Sequence, residues 1–350
     1  MTSDEGRMTS RAGTGTTTNN WGLLGHEWAV DMLRQHILHD SARHAYLFVG
    51  PPGVGRRTLA LRFAQALTCP APAAPAIPCG ACRTCKQIEA MQYADLTVIQ
   101  AEKEGGVLKV EQVREVQHSL ALKPYQGKYR VALFLRFQEA NANAANALLK
   151  TLEEAPAHAI LILTADTTEQ LLPTIVSRCE ILRLRPLPVE AVEAALKGRG
   201  SGDAQSRLLA HLSGGRPGAA FRMMGDPSAL DFRNERLDDL QRLLSATRVE
   251  KFAFAEKLTN RKKEAEERFR DTLLIWLSFW RDVLVSASGS SAPLVNVDRA
   301  AQVESLAKQL GLAGARRMVE TADKAVEQLE KNVNARLLAE VTLLDLPKSL

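Results

Sequence analysis

A glycine-rich loop between an apolar run and a helical pattern constrains the fold of this chain more than any other feature. Residues 50–58 read GPPGVGRRT; they follow an apolar run at residues 45–49 and precede a helical pattern at residues 59–67. The loop contains three glycines, Gly50, Gly53 and Gly55. In a strand–loop–helix unit, the loop amides and the helix N-terminus converge on one point and form an anion site. The pattern predicts an α/β domain with a phosphate-type loop, and an ordinary glycine-rich turn is the alternative.

The side chains that bind phosphate and metal in a working loop are replaced here. The working motif is G-x-x-x-x-G-K-S/T, in which the lysine reaches the phosphates and the hydroxyl ligates magnesium. Arg56 and Arg57 stand at those two positions. Thr58 comes one residue late, and since one helical residue rotates a side chain by about 100°, we expect its hydroxyl to miss the metal. The loop therefore has the scaffold of a nucleotide site without its chemistry.

Further apolar runs predict the rest of a parallel sheet, because each is short and is followed by a helical segment. They lie at residues 96–99, 131–135 and 160–163. Nucleotide hydrolysis also requires an acidic residue at the end of a neighbouring strand, where it holds magnesium. The run at residues 131–135 is followed by Arg136, and the first carboxylate after it is Glu139. Two separate requirements for hydrolysis therefore fail in the same chain.

Four of the five cysteines form a cluster with the spacing C-x9-C-x2-C-x2-C. They are Cys69, Cys79, Cys82 and Cys85. Four thiolates complete a tetrahedral shell around zinc, and the two-residue spacings allow tight turns that present sulfur to a shared centre. Because a closed four-cysteine site leaves no position for water, the predicted zinc is structural rather than catalytic. Incidental thiols are the alternative.

Composition limits the class of protein. With 350 residues, 45% of them hydrophobic and 24% charged, the chain can build two or three globular domains. Its net charge of +5 permits contact with nucleic acid without requiring it. No run reaches the roughly 18 apolar residues of a membrane helix, and the first twenty residues lack the apolar core of a secretory signal. We predict a disordered tail over residues 1–20 on a cytoplasmic protein that makes no membrane contact.

Two longer motifs surround the apolar run at residues 160–163. Residues 146–156 read NALLKTLEEAP, and residues 172–179 read LPTIVSRC. This arrangement resembles the clamp-loader branch of the AAA+ family, in which an N-A-L-L-K-x-L-E-E-P helix precedes a strand and an S-R-C turn. Together with HAYLF at residues 44–48, the resemblance covers most of residues 21–188.

The resemblance implies a role for Arg178. In that family the arginine of the S-R-C turn is a finger that reaches a neighbouring subunit's ATP and stabilises charge on its γ-phosphate, which suits the fixed charge and donor fork of arginine. The family's magnesium-binding acids fall where Leu135 and Arg136 stand here, so Glu139 is too late to replace them. The delta-prime branch commonly lacks a competent ATP site and keeps the finger. The degenerate loop favours that branch, with no intrinsic ATPase expected in this chain.

The resemblance also implies partners in a hetero-oligomeric ring that belongs to the DNA polymerase III holoenzyme. The gamma/tau subunits of such a ring hydrolyse ATP, and delta opens the sliding clamp at primed DNA. A cysteine module similar to that at residues 69–85 is inserted after the first helix in these subunits, so it supports the family without separating its members.

The expected organisation is a polar tail, an α/β domain and two helical regions. The tail covers residues 1–20 and the AAA+ domain residues 21–186, with the cysteine module at about 69–85. Pro186 and Pro188 mark a boundary, after which helical patterns predict a small lid over residues 187–225. Residues 226–350 carry long amphipathic patterns, and the family resemblance alone implies that they form an oligomerisation collar.

Two other functions remain open on the sequence. One is a catalytically active gamma/tau-like clamp-loader ATPase that tolerates Arg56 and recruits another acid for magnesium. The other is a zinc-containing DNA-binding protein in which the glycine loop is accidental. Magnesium-dependent ATP turnover by the isolated chain separates the first from a non-hydrolysing subunit, and tight duplex binding without partners separates the second.

Overall fold

The computed structural model describes residues 20–103, 105–259, 263–331 and 333–347. The predicted tail lies outside the described residues except for its last residue, Asn20. The chain divides into two compact units, one ending at Arg185 and the other beginning at Pro186. The finer division of the second unit into lid and collar remains a prediction.

The first unit is built on a five-stranded sheet in which every pairing is parallel. Its strands are β1 Ala45–Val49, β2 Leu96–Ile99, β3 Arg130–Phe134, β4 Ala159–Ala165 and β5 Glu180–Arg183, in the spatial order β2-β3-β4-β1-β5. The predicted runs at residues 45–49 and 96–99 match β1 and β2. The run at residues 131–135 is displaced by one residue from β3, and β4 extends beyond 160–163 at both ends. The short edge strand β5 was not predicted.

Helices cover both faces of this sheet, as parallel strands require. They are α1 Glu27–Leu38, α2 Arg56–Thr68, α3 Arg83–Glu89, α4 Val110–Ala121, α5 Ala142–Glu153 and α6 Pro173–Val176, with a 3-10 turn at Phe137–Glu139. Alternate residues of β1 serve the two cores. Tyr46 and Phe48 pack with Phe63 of α2, whereas Leu47 lies in the second core with Leu148 of α5. The sheet therefore fixes the place of the loop that follows β1.

The second unit contains helices and no strand within its described residues. Its helices are α7 Val189–Lys197, α8 Asp203–Leu212, α9 Pro217–Gly225, α10 Pro227–Ser245, α11 Arg248–Leu258, α12 Lys263–Ala287, α13 Ala300–Glu330 and α14 Ala335–Leu344, with a 3-10 turn at Val297–Arg299. Its core includes Trp276 and Trp280 of α12. In the described part of the chain, no helix combines the length and apolar character that crossing a bilayer demands.

A buried polar network fastens the connection between α12 and α13 to α10. The guanidinium of Arg233 donates to both carboxylate oxygens of Asp298, at 2.9 and 2.8 Å, and to Asn296 Oδ1 at 2.6 Å. Asp282 accepts hydrogen bonds from the backbone N–H groups of Val295 and Asn296. Arg233 and Asp298 therefore form a bidentate pair, a geometry that arginine adopts well.

Candidate functional site

The loop after β1 is clamped between the ends of its two neighbouring strands. Gly50 N–H donates to Ala165 O at 3.2 Å, and Leu184 N–H donates to Val49 O at 2.7 Å. A Cβ atom at Gly50 would lie 2.3 Å from Leu184 O, so this close approach admits only glycine. The predicted strand–loop–helix geometry is present, with φ angles of +85° at Gly53 and +119° at Gly55.

His26 supports the loop from below. This side chain is buried, and its Nε2 lies 3.1 Å from the carbonyl oxygen of Val54. Because a carbonyl only accepts, Nε2 is the donor. His26 is the N-cap residue of α1, with φ of +62°. It therefore connects the start of this helix to the loop. It was not among the predicted site residues.

Arg56 is the first residue of α2, and its charge is paired inside the chain. Its Nη2 lies 2.6 Å from Asp166 Oδ1, and only 8% of the Arg56 side chain is exposed, against 30% for Asp166. The buried Nη1 of Arg56 has no hydrogen-bond partner within the described residues. The cation at the lysine position of the loop therefore faces an internal carboxylate.

Asp166 is a site residue that the sequence reasoning missed, although a signal for it was available. It follows β4 directly, and β4 pairs with β1 in the register Val49↔Ala165. Since the carboxyl ends of parallel strands meet at one edge of a sheet, an acid just after β4 must lie beside the loop that follows β1. The sequence analysis predicts an acid position only at the end of β3.

The first carboxylate after β3, that of Glu139, is held by local contacts. Leu135 is buried, and Arg136 turns into the left-handed region with φ of +52°. Glu139 Oε1 accepts from Arg136 Nε at 2.7 Å and from the N–H of Gly105 at 2.9 Å. Oε1 of Glu139 is thus engaged locally, while Oε2 is buried and has no hydrogen-bond partner among the described residues.

Arg57 and Thr58 are both exposed on the first turn of α2, unlike Arg56. Thr58 is the third residue of that helix. That its hydroxyl misses a metal position remains a prediction, as does the loss of nucleotide chemistry at Gly50, Gly53 and Gly55.

Arg178 lies just after α6 and before β5. Its Nη2 donates to Glu153 Oε1 at 2.6 Å, and its Nη1 donates to the carbonyl of Thr174 at 3.0 Å. The side chain is 35% exposed. The neighbouring Cys179 is half-buried, and desolvation raises the pKa of its thiol to about 12.

The loop and Arg178 lie at opposite ends of the parallel strands. β1 and β5 pair in parallel, with Tyr46 opposite Glu180 and Val49 opposite Arg183. The loop follows the carboxyl end of β1, whereas Arg178 precedes the amino end of β5. The strand between them spans about 10 Å at roughly 3.3 Å per residue, before the flanking residues are added. The structure therefore does not bring Arg178 to the chain's own loop.

The four clustered cysteines converge, as their spacing predicts. All four sulfur atoms lie within 4.8 Å of one another, with 3.6 Å between Cys69 and Cys79 and 4.0 Å between Cys79 and Cys85. Four sulfurs at about 2.3 Å from one tetrahedral zinc are about 3.8 Å apart, so the donor set fits a metal ion of this kind. The backbone N–H groups of Cys82 and Cys85 donate to sulfur at 3.3 and 3.4 Å.

The environment differs among these thiols. Hydrogen bonds from the backbone N–H groups of Cys82 and Ala81 lower the pKa of Cys79 to about 6. Burial raises the pKa values of Cys69 and Cys85. A cation at the centre would favour the thiolate form of all four, because a bound metal is the largest local charge in such a site.

The cysteine module is fastened to α2. Gln65 Nε2 donates to the carbonyl of Cys85 at 2.8 Å, and Arg62 lies 2.9 Å from Glu89. On the other side of the module, Trp21 Nε1 donates to the carbonyl of Ala76 at 2.9 Å. The module is thus attached by polar contacts to α2, the helix that follows the loop.

This fold and site define a P-loop-type AAA+ protein: a parallel sheet with the loop between β1 and α2, an inserted cysteine module, and a helical second unit. A family model described as DNA polymerase III, delta subunit matches residues 25–188, and one described as DNA polymerase III, delta subunit, C terminal matches residues 229–348. The chain belongs to this family, as a delta-prime member of the clamp-loader subunits.

Sequence relatives agree with this assignment. DNA polymerase III subunit delta' of Pseudomonas aeruginosa is 36% identical over 185 residues, which cover 52% of this chain and 56% of that protein. The subunit of the same name from Bacillus subtilis is 28% identical over 314 residues, covering 89% of this chain and 93% of that protein. DNA polymerase III subunit tau of Escherichia coli is 34% identical over 50% of this chain and 27% of its own length.

Among solved structures, a DNA polymerase III gamma subunit-related protein from Thermotoga maritima is 17% identical. It aligns over 90% of this chain and 97% of its own, with a TM-score of 0.48.

Proposed function

We propose that this chain is a non-hydrolysing subunit of the DNA polymerase III clamp loader and supplies Arg178 to ATP held by a neighbouring subunit. The observation that carries the proposal is the contrast between its two arginines. Arg56 is buried against the chain's own Asp166, whereas Arg178 is partly exposed at the amino end of the strands, away from the loop. The cation at the lysine position of the loop is thus buried against an internal carboxylate, whereas the guanidinium of Arg178 is accessible to a ligand.

Nucleotide hydrolysis within this chain is disfavoured on two counts. A phosphate that approached Arg56 would meet the carboxylate of Asp166, and like charges at close range repel. Asp166 is the acid that an active ATPase would recruit for magnesium, but it lies 2.6 Å from Arg56, which competes for it. The gamma/tau-like ATPase therefore stays the alternative that a turnover assay must exclude.

Arg178 suits action on a neighbour's nucleotide. A guanidinium keeps its charge at every physiological pH and offers a fork of donors that matches phosphoryl oxygens. Because the chain's own loop lies at the opposite end of the strands, the nucleotide whose phosphate Arg178 contacts belongs to another subunit. In this proposal the gamma/tau subunits hydrolyse ATP and delta opens the sliding clamp at primed DNA, within one hetero-oligomeric ring.

The cysteine cluster is proposed to hold one structural zinc ion. Cys69, Cys79, Cys82 and Cys85 would be its ligands, and the closed four-sulfur shell would leave no site for catalysis. When bound, zinc would link the end of α2 to α3 and so stabilise the first unit. The helical lid over residues 187–225 and the collar over residues 226–350 complete the proposed organisation.

Reconstitution with gamma/tau and delta subunits tests the function. We expect Arg178→Ala to leave assembly intact, as judged by size-exclusion chromatography, and to lower ATP turnover of the complex. Arginine fingers contribute about 1000-fold or more at their own site, so the complex should lose the share of turnover that this site supplies. Arg185→Ala, which removes an exposed arginine beyond the carboxyl end of β5, is the matched control and should retain full turnover.

Two results would contradict the proposal. Unchanged turnover with Arg178→Ala would remove the finger assignment. Magnesium-dependent turnover by the isolated chain, abolished by changing Gly55 or Arg56, would show an active ATPase instead.

A further inference from the structure

The guanidinium of Arg178 is restrained by a carboxylate from a distant part of the sequence. Glu153, 25 residues earlier, accepts from Nη2 at 2.6 Å, and the carbonyl of Thr174 accepts from Nη1 at 3.0 Å. One contact thus comes from α5 and the other from α6. Charged hydrogen bonds of this kind are shorter and stronger than neutral ones, so the two acceptors together restrict the orientation of a long side chain.

Glu153 stands where a carboxylate is unfavourable on its own element. It is the last residue of α5, a helix of 12 residues, and Glu154 follows it at the helix end. The C-terminus of a helix carries a partial negative charge, so an acidic side chain there is destabilising without a counter-charge. Arg178 supplies that counter-charge to Glu153. For Glu154, the described part of the chain shows no ion pair.

The two contacts leave part of the arginine available. A guanidinium has five N–H donors, and Glu153 and Thr174 use one each on Nη2 and Nη1. The side chain remains 35% exposed. An incoming phosphoryl oxygen can therefore be bound by the remaining donors while the existing contacts persist.

We propose that Glu153 is a positioning residue: its carboxylate holds Arg178 in the orientation in which the arginine meets a neighbouring subunit's nucleotide. This inference rests on the proposed function of Arg178. Restraint before binding lowers the entropy lost when the finger engages, because fewer rotamers have to be excluded at that moment. The benefit belongs to the step that Arg178 assists, whereas the binding of ATP belongs to the neighbouring subunit.

The proposal separates kcat from KM in the reconstituted complex. Misplacement of a catalytic group by about 1 Å can lower a rate roughly 100-fold, and partial loss of restraint should cost less. We expect Glu153→Ala to slow hydrolysis at the site served by Arg178 by about 3- to 10-fold, so that the kcat of the complex falls by most of the share lost in Arg178→Ala, at an unchanged KM for ATP. Glu153→Gln should lose less than the alanine variant, because its amide oxygen still accepts a hydrogen bond from Nη2.

Glu154→Gln is the matched control, since it removes the adjacent carboxylate of the same helix end. It should retain wild-type kcat. The double variant Glu153→Ala/Arg178→Ala should match Arg178→Ala alone, because a positioning residue has no effect once the residue it positions is gone. A merely structural role of Glu153 predicts an additive loss in the double variant and no rescue by glutamine.

The outcomes distinguish the positioning role of Glu153 from the proposed function of Arg178. Wild-type or raised kcat in both Glu153 variants, with low turnover in Arg178→Ala, would overturn the positioning role and leave the proposed function standing. Full turnover in Arg178→Ala would overturn the function itself. If the alanine variant does not fold, Glu153→Gln alone decides: a lowered kcat at unchanged KM supports the proposal, and wild-type kcat overturns it.

Discussion

At the scale of single residues, the Arg56–Asp166 pair gives a physical reason for the predicted loss of phosphate binding by a loop that keeps its glycines. A phosphate loop places a cation and several N–H groups around an anion. In this chain the carboxylate of Asp166, which follows β4, lies 2.6 Å from Arg56. The pair is largely buried, so removing one partner leaves an uncompensated charge in a site of low polarity.

Asp166→Asn should expose this arrangement. We expect the unfolding free energy to fall by about 1–3 kcal/mol, less than for a fully buried pair because Asp166 is 30% exposed. We also expect added pyrophosphate to raise the Tm of the variant and not of the wild-type chain, since the anion takes the place of the carboxylate. Thermal unfolding with and without pyrophosphate measures both effects.

Glu169→Gln, which alters a fully exposed carboxylate three residues further along, is the control for this variant. It should show neither change. An Asp166→Asn variant with wild-type stability and no response to pyrophosphate would mean that the pair does not occupy the anion position.

Asp95 shows how one buried carboxylate can order a loop. It accepts hydrogen bonds from three successive backbone N–H groups, those of Tyr125, Gln126 and Gly127, at 2.6, 2.8 and 3.1 Å. Arg130 Nε lies 3.8 Å away. Burial by itself would raise the pKa of the Asp95 carboxyl, but these N–H groups and Arg130 together hold that pKa below its ordinary value.

The stability that Asp95 provides should depend on pH in a defined direction. Because its folded pKa is depressed, the contribution is complete above the unfolded value of about 3.9 and is lost as the pH falls through the folded value. We expect Asp95→Asn to lower the unfolding free energy by about 2–4 kcal/mol at neutral pH. The difference from wild type should shrink between about pH 5 and pH 2.5, as measured by urea unfolding. A difference that stays constant over this range would contradict the assignment.

At the scale of elements, the sequence predicted most of the sheet and the cysteine cluster because their signals are local. Four strands consist mostly of apolar residues, and the closely spaced cysteines bring four sulfurs together. β5 escaped prediction because Ile181 and Leu182 are its only apolar residues and it pairs on one side only, with β1. The contact of Arg56 with Asp166 needed the strand order, which no local pattern contains.

In the second unit, too, local sequence signals indicate helices. Residues 303–310 and 313–330 carry separate helical patterns, and the break between them is present in the structure, because α13 is interrupted by non-helical angles at Gly311, φ 60° and ψ −178°. Helix α11 was missed although Thr247 and Glu250 form a capping box at its start, a signal that is readable in sequence. Partners of Arg178 such as Glu153, by contrast, depend on how α5 meets α6.

The cysteine module should make the stability of the first unit depend on metal. We expect purified protein to contain about one zinc per chain and chelation to lower its Tm, because metal binding and folding are coupled in modules with little core of their own. Cys82→Ser should lose the metal. Elemental analysis and thermal unfolding provide the measurements.

Cys179→Ser is the matched control for the metal prediction, since Cys179 lies in the S-R-C turn outside the cluster. It should retain the metal. Metal-free protein of undiminished stability would rule out a structural role for the site.

At the scale of the whole molecule, each compact unit has its own core. Among the described residues, apolar clusters cover both faces of the sheet in the first unit, and a cluster around Trp276 and Trp280 lies in the second. The Arg233–Asp298 network lies wholly within the second unit. A chain organised in this way should tolerate separation between Arg185 and Pro186.

We therefore expect fragments 20–185 and 186–350 to fold separately, each with a cooperative thermal transition followed by circular dichroism. Tryptophan fluorescence of the second fragment should report buried indoles, because Trp276 and Trp280 lie in its core. The informative control is fragment 20–177, which lacks β5. This fragment should lose the cooperative transition. Without β5, one edge of β1 is unpaired, and Leu184, whose carbonyl packs against Gly50, is missing. Equal transitions for fragments 20–185 and 20–177 would show that β5 contributes little to the first unit, and the absence of a transition in fragment 186–350 would show that the second unit depends on the first.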